Sequence, residues 1–251
     1  MLTDALQCSR IANSRPDPGS WFSPRHNGCV RGNRNHIEIV GDRVFRFPLT
    51  DADRADLPAI AERHEAAVTA GLPAPRVLAL HSDHLVLERL PGTPLGDTHL
   101  APSAQERLGA ELARMLIVLR TTREWPRPHI PWARLWEGLA TVDDSPEVAE
   151  AIRVARSITP APVHGDLSWG NILVGDDGAL LGVLDWDGAT LADPAQDFSA
   201  LCFNAGPQIA AAITAATPDA AELNHRADVY LATWPVQNLL WREHRHPWLP
   251  V

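Results

Sequence analysis

Apolar positions along this chain keep a short rhythm in the first third and a helical one later. The stretch HIEIVGDRVFRFP reads as two short strands joined at Gly41-Asp42, with the Gly and Asp in reverse of the strongest hairpin order. In TDADRADLPAIAERHEAAVTAGLPAP, the residues Leu57, Ile60, Ala61, His64 and Val68 recur at helical spacing. Thr50 or Asp51 caps that helix, Gly71 and Pro73 end it, and Pro58 requires a late start or a bend. HSDHLVLERL reads as a further strand, and Pro91-Gly92-Thr93-Pro94 as a connector. Beyond it, SAQERLGAELARMLIVLRTT predicts a helix opened by a Ser103–Glu106 capping box. Leu108, Leu112, Met115, Leu116 and Leu119 form its apolar stripe. REWPRPHIPWARLW breaks the pattern, and helices are expected again over 145–157, 206–216 and 221–243.

Strands first and helices afterwards suit an α+β architecture of two lobes with a cleft between them. The expected division is a small, strand-rich, nucleotide-binding lobe over 1–90 and a larger, mainly helical one over 91–251. Apolar content of 45% and charged content of 21% are ordinary for a globular protein. The N-terminus lacks a signal-peptide pattern, and no run of 18 apolar residues predicts a membrane span. The three cysteines, Cys8, Cys29 and Cys202, are too scattered for a disulfide framework or a thiolate zinc site, so a reducing, cytoplasmic setting is expected. From Pro160 onward there are eleven acidic residues against three Arg, a balance that disfavours nucleic acid and suits a cationic partner or a solvated acidic face. All 22 basic residues are Arg. Without lysine, a Walker-type phosphate loop and Schiff-base chemistry are both excluded.

The densest chemistry lies in VHGDLSWGNILVGDDGALLGVLDWDG. Ile172–Val174 and Leu180–Leu184 are expected to pair as a hairpin across the turn Gly175-Asp176-Asp177-Gly178. Its open ends then bring Asn171 and Asp185 together, with Asp166 on the loop just before. Two oxygen donors there suit a hard cation such as Mg²⁺, and Asp166 remains to accept the proton of a hydroxyl. Phosphoryl transfer needs that division of labour.

HGD, an Asn five residues after its Asp, and a hairpin ending in LDWD resemble the catalytic core of the aminoglycoside phosphotransferase family, relatives of the protein kinases. The resemblance implies a protein-kinase-like two-lobed fold, with Asp166 as catalytic base and Asn171 and Asp185 as Mg²⁺ ligands. ADPAQDFSAL is similar to the family's Gly-Asp-Pro…Asp-Leu segment: Asp193, Pro194 and Asp197 match, and Ala192 replaces the Gly. Asp197 is then implied to anchor the catalytic loop without doing chemistry. GNRNHIEIVGDRVFRFP resembles the small lobe's first three strands, with its phosphate-covering loop around Gly32. HLVLERLPGTPL resembles the hinge, where the backbone of Glu88 and Leu90 would bond adenine. The likeness covers roughly residues 30 to 240. Arg46 stands where kinases carry the phosphate-binding Lys, and an Arg fork holds phosphate as well. Its acidic partner on the following helix is open among Asp53, Glu62 and Glu65.

Other residues have plainer readings beside the functional one. His164 reads as a packed loop histidine, since Asp166 already fills the role of base. Asp187 is either a partner of the site or solvated. Trp234, Trp241 and Trp248 recur every seven residues, as a core stripe or as a wall for a sugar-like substrate. WREHRHPW matches no standard metal spacing and reads as a frayed helix end. The function expected is transfer of the γ-phosphate of ATP, with Mg²⁺, to a hydroxyl of a small molecule. An aminoglycoside-type antibiotic is the first acceptor class; a sugar, homoserine, choline or macrolide is the alternative. A nucleotide-binding regulatory module without turnover is the third reading. Nucleic-acid and membrane partners are not expected, and oligomeric state is left open.

Overall fold

A computed structural model describes residues 29–31, 35–126 and 132–237. Five antiparallel strands come first: β1 (Cys29–Arg31), β2 (Asn35–Val40), β3 (Arg43–Pro48), β4 (Val77–Leu80) and β5 (Leu85–Glu88), in the sheet order β1-β2-β3-β5-β4. Strands β2 and β3 meet at Gly41, whose φ of 61° fits the Gly-first order of the turn. Two helices interrupt the sheet, α1 (Asp51–Ala55) and α2 (Leu57–Thr69). The single helix expected here is broken at Asp56 because Pro58 suits only the first turn of a helix. Thr50 supplies the cap of α1, accepting the Asp53 N–H at 3.1 Å. Leu57, Ile60 and Ala61 of α2 pack on Leu85, Leu87 and Val44, so one face of the sheet is covered and Arg46 of β3 faces the same side.

Beyond the connector the chain is mainly helical. It runs through β6 (Thr93–Pro94), α3 (Pro102–Thr121), α4 (Trp132–Leu139), α5 (Pro146–Ser157) and β7 (Ala161–Val163). Then come β8 (Ile172–Val174), β9 (Leu180–Val183), β10 (Thr190–Ala192), α6 (Ala195–Asn204), α7 (Pro207–Ala216) and α8 (Ala220–Ala232). β7 pairs with β10, and β6 joins the β8–β9 hairpin. The larger core lies here, with Trp136, Trp186, Phe198 and Leu112 all fully buried or nearly so. The expected α+β, kinase-like arrangement of a strand-rich part followed by a helical part is therefore present. Among the described residues, no helix is long and apolar enough to cross a membrane.

Four details correct the sequence reading. Helix α3 begins one residue early, at Pro102, with Ala101 as N-cap and no side-chain cap, so the Ser103–Glu106 capping box does not form. Proline's preset φ and missing N–H suit the first helical position and shift the start. Strand β4 and helix α4 were not expected; each is short, four and eight residues long. Helix α8 is interrupted after Ala232 by a turn at Thr233, whose hydroxyl donates to the Tyr230 carbonyl, and the chain is helical again over 234–237. Trp234 just beyond is 58% exposed and so is no core residue, whereas Trp241, Trp248 and the WREHRHPW tail lie outside the described residues, as does Gly32.

Helix α3 crosses α7 at Gly109, where a Cβ would stand 2.5 Å from Ala212 Cβ and 2.8 Å from the Ile209 carbonyl oxygen. Backbone cannot yield as a side-chain tip can, so Gly109→Ala is expected to cost about 1–3 kcal/mol in urea unfolding, despite alanine's better helix propensity.

Candidate active site

The hairpin places its ends as the sequence predicts. Ile172 pairs with Val183, and the Leu184 N–H donates to the Asn171 carbonyl at 2.7 Å, so Asn171 and Asp185 flank one opening. Asn171 is buried, and its Nδ2 donates to both the carbonyl (2.9 Å) and Oδ2 (3.2 Å) of Asp166. With its amide nitrogen spent on Asp166, Asn171 has only its Oδ1 to offer a cation. The donor set of that amide oxygen and the part-buried Asp185 carboxylate fits a hard, oxygen-seeking ion such as Mg²⁺.

Three contacts hold the loop that carries Asp166. Gly165, at φ 82°, lies so close to the next loop that a Cβ would meet the Gly188 carbonyl oxygen at 2.7 Å. Asp197, in the first turn of α6, accepts the N–H groups of His164 (2.6 Å) and Gly165 (2.9 Å). His164 is fully buried; its Nε2 lies 2.9 Å from the Leu184 carbonyl, and its Nδ1 accepts the Asp166 N–H at 3.2 Å. Only the neutral Nε2–H tautomer makes both bonds. Burial pushes the imidazole down to about 4, which agrees with that state. His164 is thus a strut between two site segments, as its plainer reading held.

The carboxylates crowd one another. Burial, with Asp187 adding to it, pushes Asp185 up to about 6, against the pull of Arg46. Asp166 is raised by burial, opposed by the Asn171 bond and reinforced by Asp187. Burial lifts Asp197 to about 6 despite its two backbone donors. Asp185 is also the only non-glycine residue with positive φ among the described residues (φ 63°, ψ 60°). Backbone held in that region costs free energy and persists only where its surroundings impose it. Trp186 does so: it is fully buried, and its indole N–H donates to the Val183 carbonyl at 2.8 Å.

Arg46 reaches this segment from β3. Its Nη1 and Nη2 donate to Asp187 Oδ1 (2.8 Å) and Oδ2 (2.7 Å), and Nη2 also to Asp185 Oδ1 (3.3 Å). Burial alone would lower the guanidinium's affinity for its proton, but the two carboxylates more than offset this. None of the three candidate acids is its partner. Asp53 engages Thr50, while Glu62 and Glu65 are exposed on α2. That helix turns His64 and Arg63 toward the site instead, and Arg63 Nη1 donates to the Asp187 carbonyl at 2.9 Å. The structure thus gathers Asp166, Asn171, Asp185 and Arg46. Glu88 and Leu90 stand at the edge: the Glu88 N–H is spent on the Arg76 carbonyl (2.9 Å), and Leu90 packs against Gly182. Asp187 is the partner of the site that one of its two readings offered, but Arg46 as what grips it was missed, as was the anchoring of buried Asp193 by Arg226 (2.8 and 3.1 Å) and Tyr230 (2.9 Å). The DWD spacing was the one available signal for the first.

Comparisons with known proteins identify the family and the fold. The model of the phosphotransferase enzyme family matches residues 32–231. Viomycin phosphotransferase of Streptomyces vinaceus is 31% identical over 210 residues, which span 71% of this chain and 73% of that protein. Among solved structures, the GDP and kanamycin complex of APH(2″)-IIIa is similar with a TM-score of 0.67, at 20% identity, covering 97% of this chain and 94% of that one. The ADP-bound aminoglycoside phosphotransferase APH(2″)-Ib also gives 0.67, at 15% identity and 95% and 91% coverage.

His64, buried beside Arg46, donates from Nδ1 to the Pro75 carbonyl (3.2 Å) and is pushed from 6.5 down to about 4, by burial first and then by Arg46. The unfolded chain binds this proton near 6.5 and the native chain only near 4, so this group's stability is lost as pH falls through that window. His64→Asn keeps a donor for Pro75 and cannot titrate. Its deficit against the unmodified protein in urea unfolding is expected to shrink by about 1 kcal/mol per pH unit between pH 6.5 and 4.

Proposed function

Since the chain belongs to the phosphotransferase enzyme family, we propose that it transfers the γ-phosphoryl group of ATP to a hydroxyl of a small molecule, an amine-rich antibiotic of the aminoglycoside type being the acceptor class that fits best. The observation that carries the reading is the closed group at the hairpin mouth, with Asn171 bonded to Asp166 and Asp185 at the opposite end. Membership of the family makes the protein an enzyme, and the reading as a regulatory module without turnover is set aside.

Asp166 takes the proton of the acceptor hydroxyl at a carboxylate oxygen. Its raised proton affinity, from burial and from Asp187, suits a base working nearer neutrality. The Asn171 amide holds that carboxylate to one orientation. Mg²⁺, held by Asn171 Oδ1 and the Asp185 carboxylate, would neutralise charge on the nucleotide's phosphates. Arg46 is proposed to steady those phosphates. The backbone of Glu88 and Leu90 would meet the purine, Glu88 through its carbonyl, since its N–H is already bonded. In this reading residues 1–90 carry the nucleotide and residues 91–251 the base and the acceptor. The excess of acid over Arg after Pro160 supports a cationic acceptor. A metabolic alcohol or a macrolide is the alternative that a phosphorylation screen over aminoglycosides, macrolides, amino alcohols and sugars separates.

Asp166→Asn is expected to lower kcat by about 10²–10⁴-fold while nucleotide affinity holds. Full-rate transfer by that variant would remove Asp166 as the base. In thermal-shift measurements millimolar Mg-ATP should raise the melting temperature of the unmodified protein and leave Asp185→Ala where it was.

A further inference from the structure

Resting on that phosphotransferase reading, we propose that Asp187 is a positioning residue, which aims Arg46 at the nucleotide in the role expected of a carboxylate on α2. The pair is bidentate at 2.7 and 2.8 Å, and both side chains are close to dry, Arg46 at 10% and Asp187 at 13% exposure. A buried cation needs a partner of this quality, and the helix offers none: Glu62 and Glu65 point outward and His64 is held neutral. The helix's contribution is reversed in sign. Arg63 of α2 donates to the Asp187 carbonyl and so seats the turn that does the holding.

The arrangement also accounts for Arg in place of Lys. A guanidinium has five N–H donors in a rigid fork, so it grips Asp187, touches Asp185 and still has donors to offer phosphate. A lysine ammonium is a point charge with three donors and no fork. Because Asp187 and Asp185 sit two residues apart on one turn, the phosphate arm and the cation ligand share a mount. Helix α2 then bears on the aim of Arg46 only through Arg63 and that turn.

Nucleotide and acceptor kinetics on Asp187→Asn, with nucleotide affinity by calorimetry, test the role. The nucleotide KM is expected to rise about tenfold while the acceptor KM stays within about twofold. Asp187→Glu, which keeps the charge, should recover most of that loss, whereas Glu62→Gln and Glu65→Gln should match the unmodified protein. An unchanged nucleotide KM in Asp187→Asn, or a comparable rise in either helix variant, overturns the proposal. A second arm needs no nucleotide. Asp187→Asn leaves a buried guanidinium with only the longer Asp185 contact, so the double variant Arg46→Met/Asp187→Asn should melt higher than Asp187→Asn alone. If the single variant does not fold and the double does, the pairing stands. A double variant that melts lower, or also fails to fold, makes Asp187 a fold element only. Failure of the unmodified protein to bind nucleotide would instead sink the kinase reading, and the melting arm would still judge the pair.

Discussion

One buried guanidinium sets the terms for the rest of the molecule. Arg46 rises from a strand of the antiparallel sheet and ends among carboxylates that belong to the helical part. Leaving such a charge dry and unpaired is among the costliest defects a fold can carry. The sheet and the turn after β9 must therefore keep their relative distance. The Pro73 carbonyl, which accepts the Val183 N–H at 2.7 Å, and Arg63 on Asp187 reinforce the same junction. Ion pairing here governs where two halves of the chain stand, more than it adds to their stability.

The site collects more negative charge than one Arg can balance. Asp166, Asp185, Asp187 and Asp197 converge from three segments, and burial raises the proton affinity of the first, second and fourth. Such crowding is electrostatically unfavourable in isolation and favourable once a divalent cation or an amine-bearing molecule enters. The acid excess of the C-terminal part, diffuse when read along the sequence, is thus partly local and partly a matter of this opening.

What the sequence disclosed and what it withheld follow from the range of the interactions. Asp166, Asn171 and Asp185 were legible because a hairpin is a local device whose turn and strands fix which residues meet. Asp197 was legible through its segment, and its two bonds to the His164 and Gly165 N–H groups agree with an anchoring part. The partner of Arg46 was not legible, because Asp187 lies 141 residues away and nothing local selects it over Glu62 or Glu65. Likewise Arg226 and Tyr230 reach Asp193 only after α8 packs beside α6. The false capping box and the undivided first helix came from rules of helix starts that two prolines override. Of the tryptophan stripe only Trp234 lies among the described residues, and its exposure counts against the core reading.

Gly165 and Gly188 touch backbone to backbone, with no side chain between the loop of the base and the loop that follows Asp185. The gap between those loops is therefore set by atomic radii, which no substitution elsewhere can retune. A change in the side chains that meet the acceptor would leave that spacing as it is. A lineage built on this frame can change what it phosphorylates without having to reinvent how.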